Sequence, residues 1–132
     1  ASGVVAVDTN VVVRLLTRDD EAQYRLSEKL FDNHDIFIPD TLFLEAEWVL
    51  RAAFELSPRE VCTALRRICG LANVTVSDAT LLAQVFEWHE LGFDFADAFH
   101  LALSKHQSMF KTFDARFIKI AKKHSSRAVE RP

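Results

Sequence analysis

The chain has 132 residues, of which 49% are hydrophobic and eleven are Phe, enough for one domain with a substantial core. This composition excludes a disordered chain, and no apolar run approaches the roughly 20 residues of a membrane span. The net charge of −3 is unevenly spread, because residues 111–132 carry seven basic and two acidic side chains. Such a basic end can hold a phosphate backbone, but taken alone it is better explained as a solvated helix face with a cationic C-terminus.

The N-terminus shows no basic segment before its apolar run, so we expect no secretory signal and a cytoplasmic protein. We interpret Ala1–Gly3 as a remnant of expression. A single domain is expected over residues 1–132.

Strand and helix patterns alternate along the first half of the chain, each bounded by capping residues. Their predicted order is a strand at Val4–Val7, a helix from Val11–Leu16, a helix opened by Asp19–Glu21, a strand at Ile36–Ile38, and a helix from Asp40 or Thr41 to about Phe54.

The same alternation continues to the end of the chain, beginning with the capping box Ser57-Pro58-Arg59-Glu60. The predicted elements are a helix from this box to Gly70, a strand at Val74–Val76, a helix capped by Ser77 or Asp78 and running to about His89, a helix at Phe95–His106, a strand at Met109–Phe113, a helix from Ala115 to about His124, and a short edge strand at Ala128–Val129.

Strands that alternate with helices of this length predict an α/β fold with a parallel sheet of four to five strands and helices on both faces. In such sheets ligands bind just beyond the carboxyl ends of the strands. Asp8 follows the first strand and Asp114 follows the fourth. A helix N-cap is the alternative role for each of them.

Two further acids stand in apolar surroundings on predicted helices. Glu45 interrupts an apolar helix and has no basic residue one turn away, which indicates either water or a cleft. Its neighbour Glu47 has Arg51 at i+4, and we expect an ordinary exposed ion pair there. Asp97 lies on the first turn of a helix that Asp94 caps, where the helix dipole alone would also favour it.

Four carboxylates brought together would repel each other unless a cation lay among them. Ligation by oxygen alone indicates Mg²⁺ or Mn²⁺, and such sites hydrolyse phosphodiesters by activating water. No nucleotide-binding glycine loop is possible with only Gly3, Gly70 and Gly92.

Four segments of the chain resemble the PIN-domain nucleases, and in particular the VapC-type ribonuclease toxins of bacterial toxin–antitoxin pairs. They are VVAVDTNVVVRLL at Val4–Leu16, IPDTLFLEAEWVL at Ile38–Leu50, FDFADAFHLALS at Phe93–Ser104 and FKTFDARFIKIA at Phe110–Ala121.

The resemblance implies a three-layer PIN-like fold with the strand order 3-2-1-4-5. It places the metal-binding and catalytic acids at Asp8, Glu45, Asp97 and Asp114. Supporting positions are Asn10, Thr112 and Asp94, and the candidate substrate-binding residues are Arg14, Arg18 and Arg116.

The activity implied by the resemblance is Mg²⁺- or Mn²⁺-dependent cleavage of RNA by a homodimeric toxin with a VapB-like antitoxin as its partner and no membrane association. Three alternatives stay open: a PIN nuclease for RNA processing outside toxin–antitoxin systems, a haloacid-dehalogenase-type phosphatase, and a non-catalytic or receiver-like binding domain. Asn10 disfavours the phosphatase, which normally has a second Asp at that position.

We interpret His100 as packed or hydrogen-bonded, and Trp48, Trp88 and the Phe residues as core or dimer contacts rather than base-stacking platforms.

Overall fold

The computed structural model describes residues 3–132. Within that part of the chain there are seven helices and five strands, divided between two compact units, Ala1–Ser77 and Asp78–Pro132. Ala1 and Ser2 lie outside the described residues, so the interpretation of Ala1–Gly3 as an expression remnant stays a prediction. The single domain over residues 1–132 stays a prediction.

The first unit is a three-stranded parallel sheet with four helices. Strand β2 lies in the middle, with Val5 opposite Ile36 and Ile36 opposite Val74. The elements are β1 (Val5–Ala6), α1 (Thr9–Thr17), α2 (Glu21–Asn33), β2 (Ile36–Ile38), α3 (Asp40–Ala52), α4 (Pro58–Cys69) and β3 (Val74–Val76).

Apolar side chains that recur at strand and helix spacing form the core of this unit. Ile36 and Ile38 point to the buried face of β2, and Val12, Phe43 and Leu50 are completely buried on the helices. Each such side chain contributes roughly 1.5–3 kcal/mol by leaving water. The helices α1 and α3, which begin directly after β1 and β2, are fixed by this packing.

The second unit contains three helices and a two-stranded parallel sheet, with Phe110 opposite Val129. Gly92 ends the first helix with a φ of 115°, a conformation that favours glycine. The elements are α5 (Ala79–Leu91), α6 (Phe95–Leu103), β4 (Phe110–Lys111), α7 (Ala115–His124) and β5 (Val129–Glu130).

Aromatic rings fill the core of the second unit. Phe93 stacks on Trp88 with ring centres 5.3 Å apart, and Phe95 meets Phe99 edge to face at 5.5 Å. Phe117 of α7 contacts Phe93 with ring centres 6.3 Å apart. The ring of Phe93 therefore links α5 to α7. Acidic residues lie on the first turn of α6 and at the N-cap of α7.

The α/β class with parallel strands and helices is confirmed, but the sheet differs in detail from the prediction. Instead of one sheet in the order 3-2-1-4-5, the structure has two hydrogen-bonded sheets, β1-β2-β3 and β4-β5. The neighbours within each sheet agree with the predicted order. Strands β1 and β4 have only two residues each, because the chain turns toward the caps of α1 and α7 at Asp8 and Asp114.

Two helix boundaries also differ. Helix α1 begins at Thr9 rather than Val11, because the Asp8 carboxylate accepts a hydrogen bond from the Thr9 amide. Helix α6 ends at Leu103 rather than His106. None of the helices in residues 3–132 is long and apolar enough to cross a membrane.

Candidate functional site

Asp8 stands where strand β1 gives way to helix α1. Val7 before it is buried, whereas Asp8 itself is exposed. Its Oδ1 atom accepts a hydrogen bond of 2.7 Å from the Thr9 amide. Asp8 therefore caps α1 and also lies at the end of a strand. The cap hydrogen bond occupies only one of its two carboxylate oxygens.

Glu45 lies on helix α3 and is exposed. Together with Asp8 it lines a cavity of about 180 Å³, whose wall also includes Thr9 and Thr41. Within residues 3–132, neither Asp8 nor Glu45 has a basic side chain at ion-pair distance. The first unit thus brings two of the four predicted acids to one cavity, with their charges uncompensated by the protein.

A second glutamate of α3, Glu47, differs from the sequence expectation. Glu47 is only 4% exposed, and its Oε2 atom lies 2.8 Å from Nε of Arg51, whose side chain is half exposed. The prediction of an ordinary exposed pair is therefore wrong for Glu47. Of the two glutamates, the one facing the protein interior is Glu47, and the one facing water at the cavity is Glu45.

In the second unit, three of the predicted site acids lie at the N-termini of α6 and α7. Asp94 caps α6, with its Oδ1 accepting from the Asp97 amide at 3.0 Å. Asp114 caps α7 through a bond of 3.0 Å from the Phe117 amide. Asp97 lies on the first turn of α6, partly buried. Asp94 and Asp114 therefore fill the cap roles that the sequence allowed.

Electrostatics links these three acids. Burial, and after it the negative charges of Asp94 and Asp114, raise the pKa of the Asp97 carboxyl above its ordinary value, while His100 acts in the opposite direction. A carboxylate in this position is stabilised by a cation or by a proton. His100 itself is exposed, so its ring is not packed in the core, and a hydrogen-bonded ring stays a prediction.

Two of the predicted supporting positions have different surroundings. Thr112 Oγ1 accepts a hydrogen bond of 3.0 Å from the Asp114 amide, so it orients the backbone at that acid. Asn10 is exposed on the first turn of α1, two residues after Asp8.

The predicted substrate-binding residues Arg14 and Arg18 already have acidic partners. Arg14 donates to Gln23 at 2.7 Å and lies 3.2 Å from the Asp19 carboxylate. Arg18 lies 2.9 Å from Glu21. Contact of either arginine with RNA would have to compete with these bonds and stays a prediction.

In the second unit, Arg116 is exposed and its Nη2 atom is 3.5 Å from the Gly92 carbonyl. Among the described residues, Arg116 therefore has fewer polar contacts than Arg14 or Arg18. Arg127 donates to the carbonyls of Leu101 and Ser104, at 2.8 and 2.5 Å, and so binds the C-terminal end of α6.

The donor set suits a hard divalent cation, since carboxylate oxygens are the ligands that Mg²⁺ and Mn²⁺ prefer. Within the described residues, however, no group of three or more His, Cys, Asp or Glu side chains is arranged to hold a metal ion. The four-carboxylate metal site and the assignment of each acid to it stay predictions.

Exposed aromatic residues were missed by sequence reasoning. Trp88 is buried as predicted, but Trp48 is 59% exposed and Phe113 is 73% exposed. The sequence signal that could have identified Phe113 was its place at the end of the predicted strand, directly before the helix cap Asp114.

Comparison with curated protein sequences gives no match. Among solved structures, the chain is similar to Mycobacterium tuberculosis VapC20, described as a sarcin-ricin loop cleaving toxin. That likeness has 20% sequence identity and a TM-score of 0.45, and covers 98% of this chain and 100% of the mycobacterial chain. The family model described as PIN domain matches residues 5–123, nearly the whole sequence. The chain therefore belongs to the PIN-domain family.

Proposed function

We propose that this PIN-domain chain is a Mg²⁺- or Mn²⁺-dependent endoribonuclease. The observation that carries the proposal is the pair Asp8 and Glu45, two acids without basic partners at one cavity beyond the carboxyl end of a parallel strand. Water-exposed carboxylates that line one cavity are suited to bind a cation. The PIN-domain match over residues 5–123 supports the same chemistry.

We further propose that Asp8, Glu45, Asp97 and Asp114 all bind the metal. The chemistry supplied by such an ion is the activation of water and the stabilisation of charge on the leaving oxygen. The protein's part is to hold the oxygens in place: the caps at Asp8 and Asp114 fix one carboxylate oxygen and orient the other. The raised pKa of Asp97 supports a place beside a cation, because on balance its surroundings in the protein disfavour its charged form.

The biological setting we propose is that of a cytoplasmic, homodimeric toxin whose activity a small VapB-like antitoxin restrains. Support comes from the four segments that resemble VapC-type toxins, all within residues 4–121. A PIN nuclease for RNA processing is the alternative setting. Expression that arrests growth, and relief of the arrest by the product of a neighbouring short gene, would distinguish the toxin from it.

Replacement of Asp8 by Asn tests the metal site. Asp8→Asn keeps an oxygen that accepts from the Thr9 amide, so the fold should persist while cleavage of RNA is lost. The matched control is Asp20→Asn, which removes the same charge from an exposed cap on α2. We expect Asp20→Asn to cleave like the wild type.

Two measurements are made on each protein. Sequencing of the 5′ ends of RNA fragments, with and without Mg²⁺ or Mn²⁺, reports cleavage and its position. Melting temperature against Mn²⁺ concentration reports binding, because a ligand of the folded state raises it. Cleavage by Asp8→Asn at the wild-type rate would show the assignment wrong. A wild type with no metal-linked rise in melting temperature and no cleavage would instead favour a non-catalytic domain.

A further inference from the structure

Phe113 is the most exposed of the large hydrophobic side chains that the structure describes. It is 73% exposed and lies between β4 and α7, directly before Asp114. The two nearest Phe residues along the chain behave differently, since Phe110 and Phe117 contact each other with ring centres 5.4 Å apart. The chain thus places one aromatic ring in water next to an acid of the proposed site.

A single exposed apolar residue is common on protein surfaces and by itself indicates nothing. Phe113 differs because a cation accompanies it. The guanidinium of Arg131 lies over the ring, with Cζ 5.8 Å from the ring centre. This is a cation–π contact at an exposed site, where the attraction is weak, so the pair is free to accept another flat group.

Backbone and side-chain hydrogen bonds hold the two members of the pair. The Thr112 amide donates to the Glu130 carbonyl at 3.1 Å, next to both Phe113 and Arg131 in sequence. Lys111 Nζ donates to a Glu130 carboxylate oxygen at 2.6 Å and to the Arg131 carbonyl at 3.3 Å. The ring and the guanidinium therefore come from chain segments fixed to each other by the β4–β5 pairing.

We infer that Phe113 and Arg131 form a stacking site for one unpaired base of the RNA substrate, which deepens the proposed function and rests on it. Aromatic faces and guanidinium planes are the two protein groups on which single-stranded bases stack. The arginine charge also attracts the adjoining phosphate. Bases in an RNA duplex are already stacked and inaccessible, so the site selects a single-stranded or looped segment. The base bound there lies next to Asp114.

The test measures binding of a short, fluorescein-labelled, single-stranded RNA of random sequence in EDTA, so that cleavage does not consume the probe. Phe113→Leu keeps an apolar side chain without the ring, and we expect its Kd to rise about tenfold. Phe113→Trp restores a ring, and we expect wild-type affinity and quenching of the new indole fluorescence by RNA. Leu26→Ala is the control, because Leu26 is an apolar residue of similar exposure, 69%, on α2 of the first unit. Its Kd should match the wild type.

The inference is overturned if Phe113→Leu binds as tightly as the wild type, or if RNA leaves the Phe113→Trp fluorescence unchanged. Cleavage assays with Mn²⁺ on the same proteins separate this inference from the proposed function. Wild-type cleavage together with unchanged Phe113→Leu binding overturns the stacking site alone. A wild type that neither binds nor cleaves RNA overturns both.

Discussion

Removal of the Arg51 guanidinium tests whether the buried Glu47 depends on it. Arg51→Met keeps most of the apolar stem and deletes a donor that lies 2.8 Å from the Glu47 carboxylate. Because the Glu47 side chain is only 5% exposed, water cannot replace the lost donor without a local rearrangement.

The magnitude follows from the burial of the two partners. A hydrogen bond to a charged group contributes about 1.5–3 kcal/mol, and loss of one partner of a fully buried pair costs about 3–5 kcal/mol. The Arg51 side chain is 49% exposed, so solvent screens part of this interaction and the lower range applies. We expect a loss of about 2 kcal/mol, or a fall in melting temperature of roughly 6–10 °C for a chain of this size.

Urea unfolding and thermal melting followed by circular dichroism measure the effect. Arg25→Met is the matched control, since Arg25 pairs with Glu21 at i−4 on an exposed helix face, where ion pairs contribute little. The double variant Glu47→Gln/Arg51→Met should recover part of the loss, because it no longer buries a charge. Equal stability losses in Arg51→Met and Arg25→Met would refute the reasoning.

Three further outcomes are expected. Asp97→Asn in metal-free buffer should melt above the wild type at neutral pH. The raised pKa of Asp97 means that the folded state disfavours the charged carboxylate. The wild type therefore loses stability as the pH rises through the pKa of Asp97 in the unfolded chain and then through its pKa in the folded protein. The difference in melting temperature between the two proteins should shrink below about pH 4. Ser57→Ala removes the side-chain cap of α4 and should cost about 1 kcal/mol in urea unfolding; an unchanged midpoint would contradict the capping box. Gly92→Ala should lower the melting temperature, because φ is 115° and a Cβ would lie 3.0 Å from Ile120; a rise would show that the turn relaxes freely.

Local sequence signals predicted the helix starts well. The Ser57 capping box and the Asp94 and Asp114 caps each depend on a hydrogen bond within three residues, so the sequence contains both partners. The α/β class could be predicted for a similar reason, since apolar runs such as Ile36–Ile38 and helical periodicity need no distant information.

What depends on distant packing could not be predicted. Glu45 and Glu47 stand two residues apart on one helix, and only the packing of α3 decides which of them is buried. Phe113 is the last residue of the predicted strand Met109–Phe113, but β4 ends at Lys111 and the ring is exposed to water.

The hydrogen bonds of Arg127 to the end of α6 change what the basic C-terminal segment offers a nucleic acid. A side chain occupied by two main-chain carbonyls is held away from phosphates, so it displaces no counterions when RNA binds. A plot of log RNA affinity against log salt concentration steepens by about 0.7 for each phosphate that the protein contacts on a single strand. Its slope should therefore be shallower than the seven basic side chains of residues 111–132 suggest.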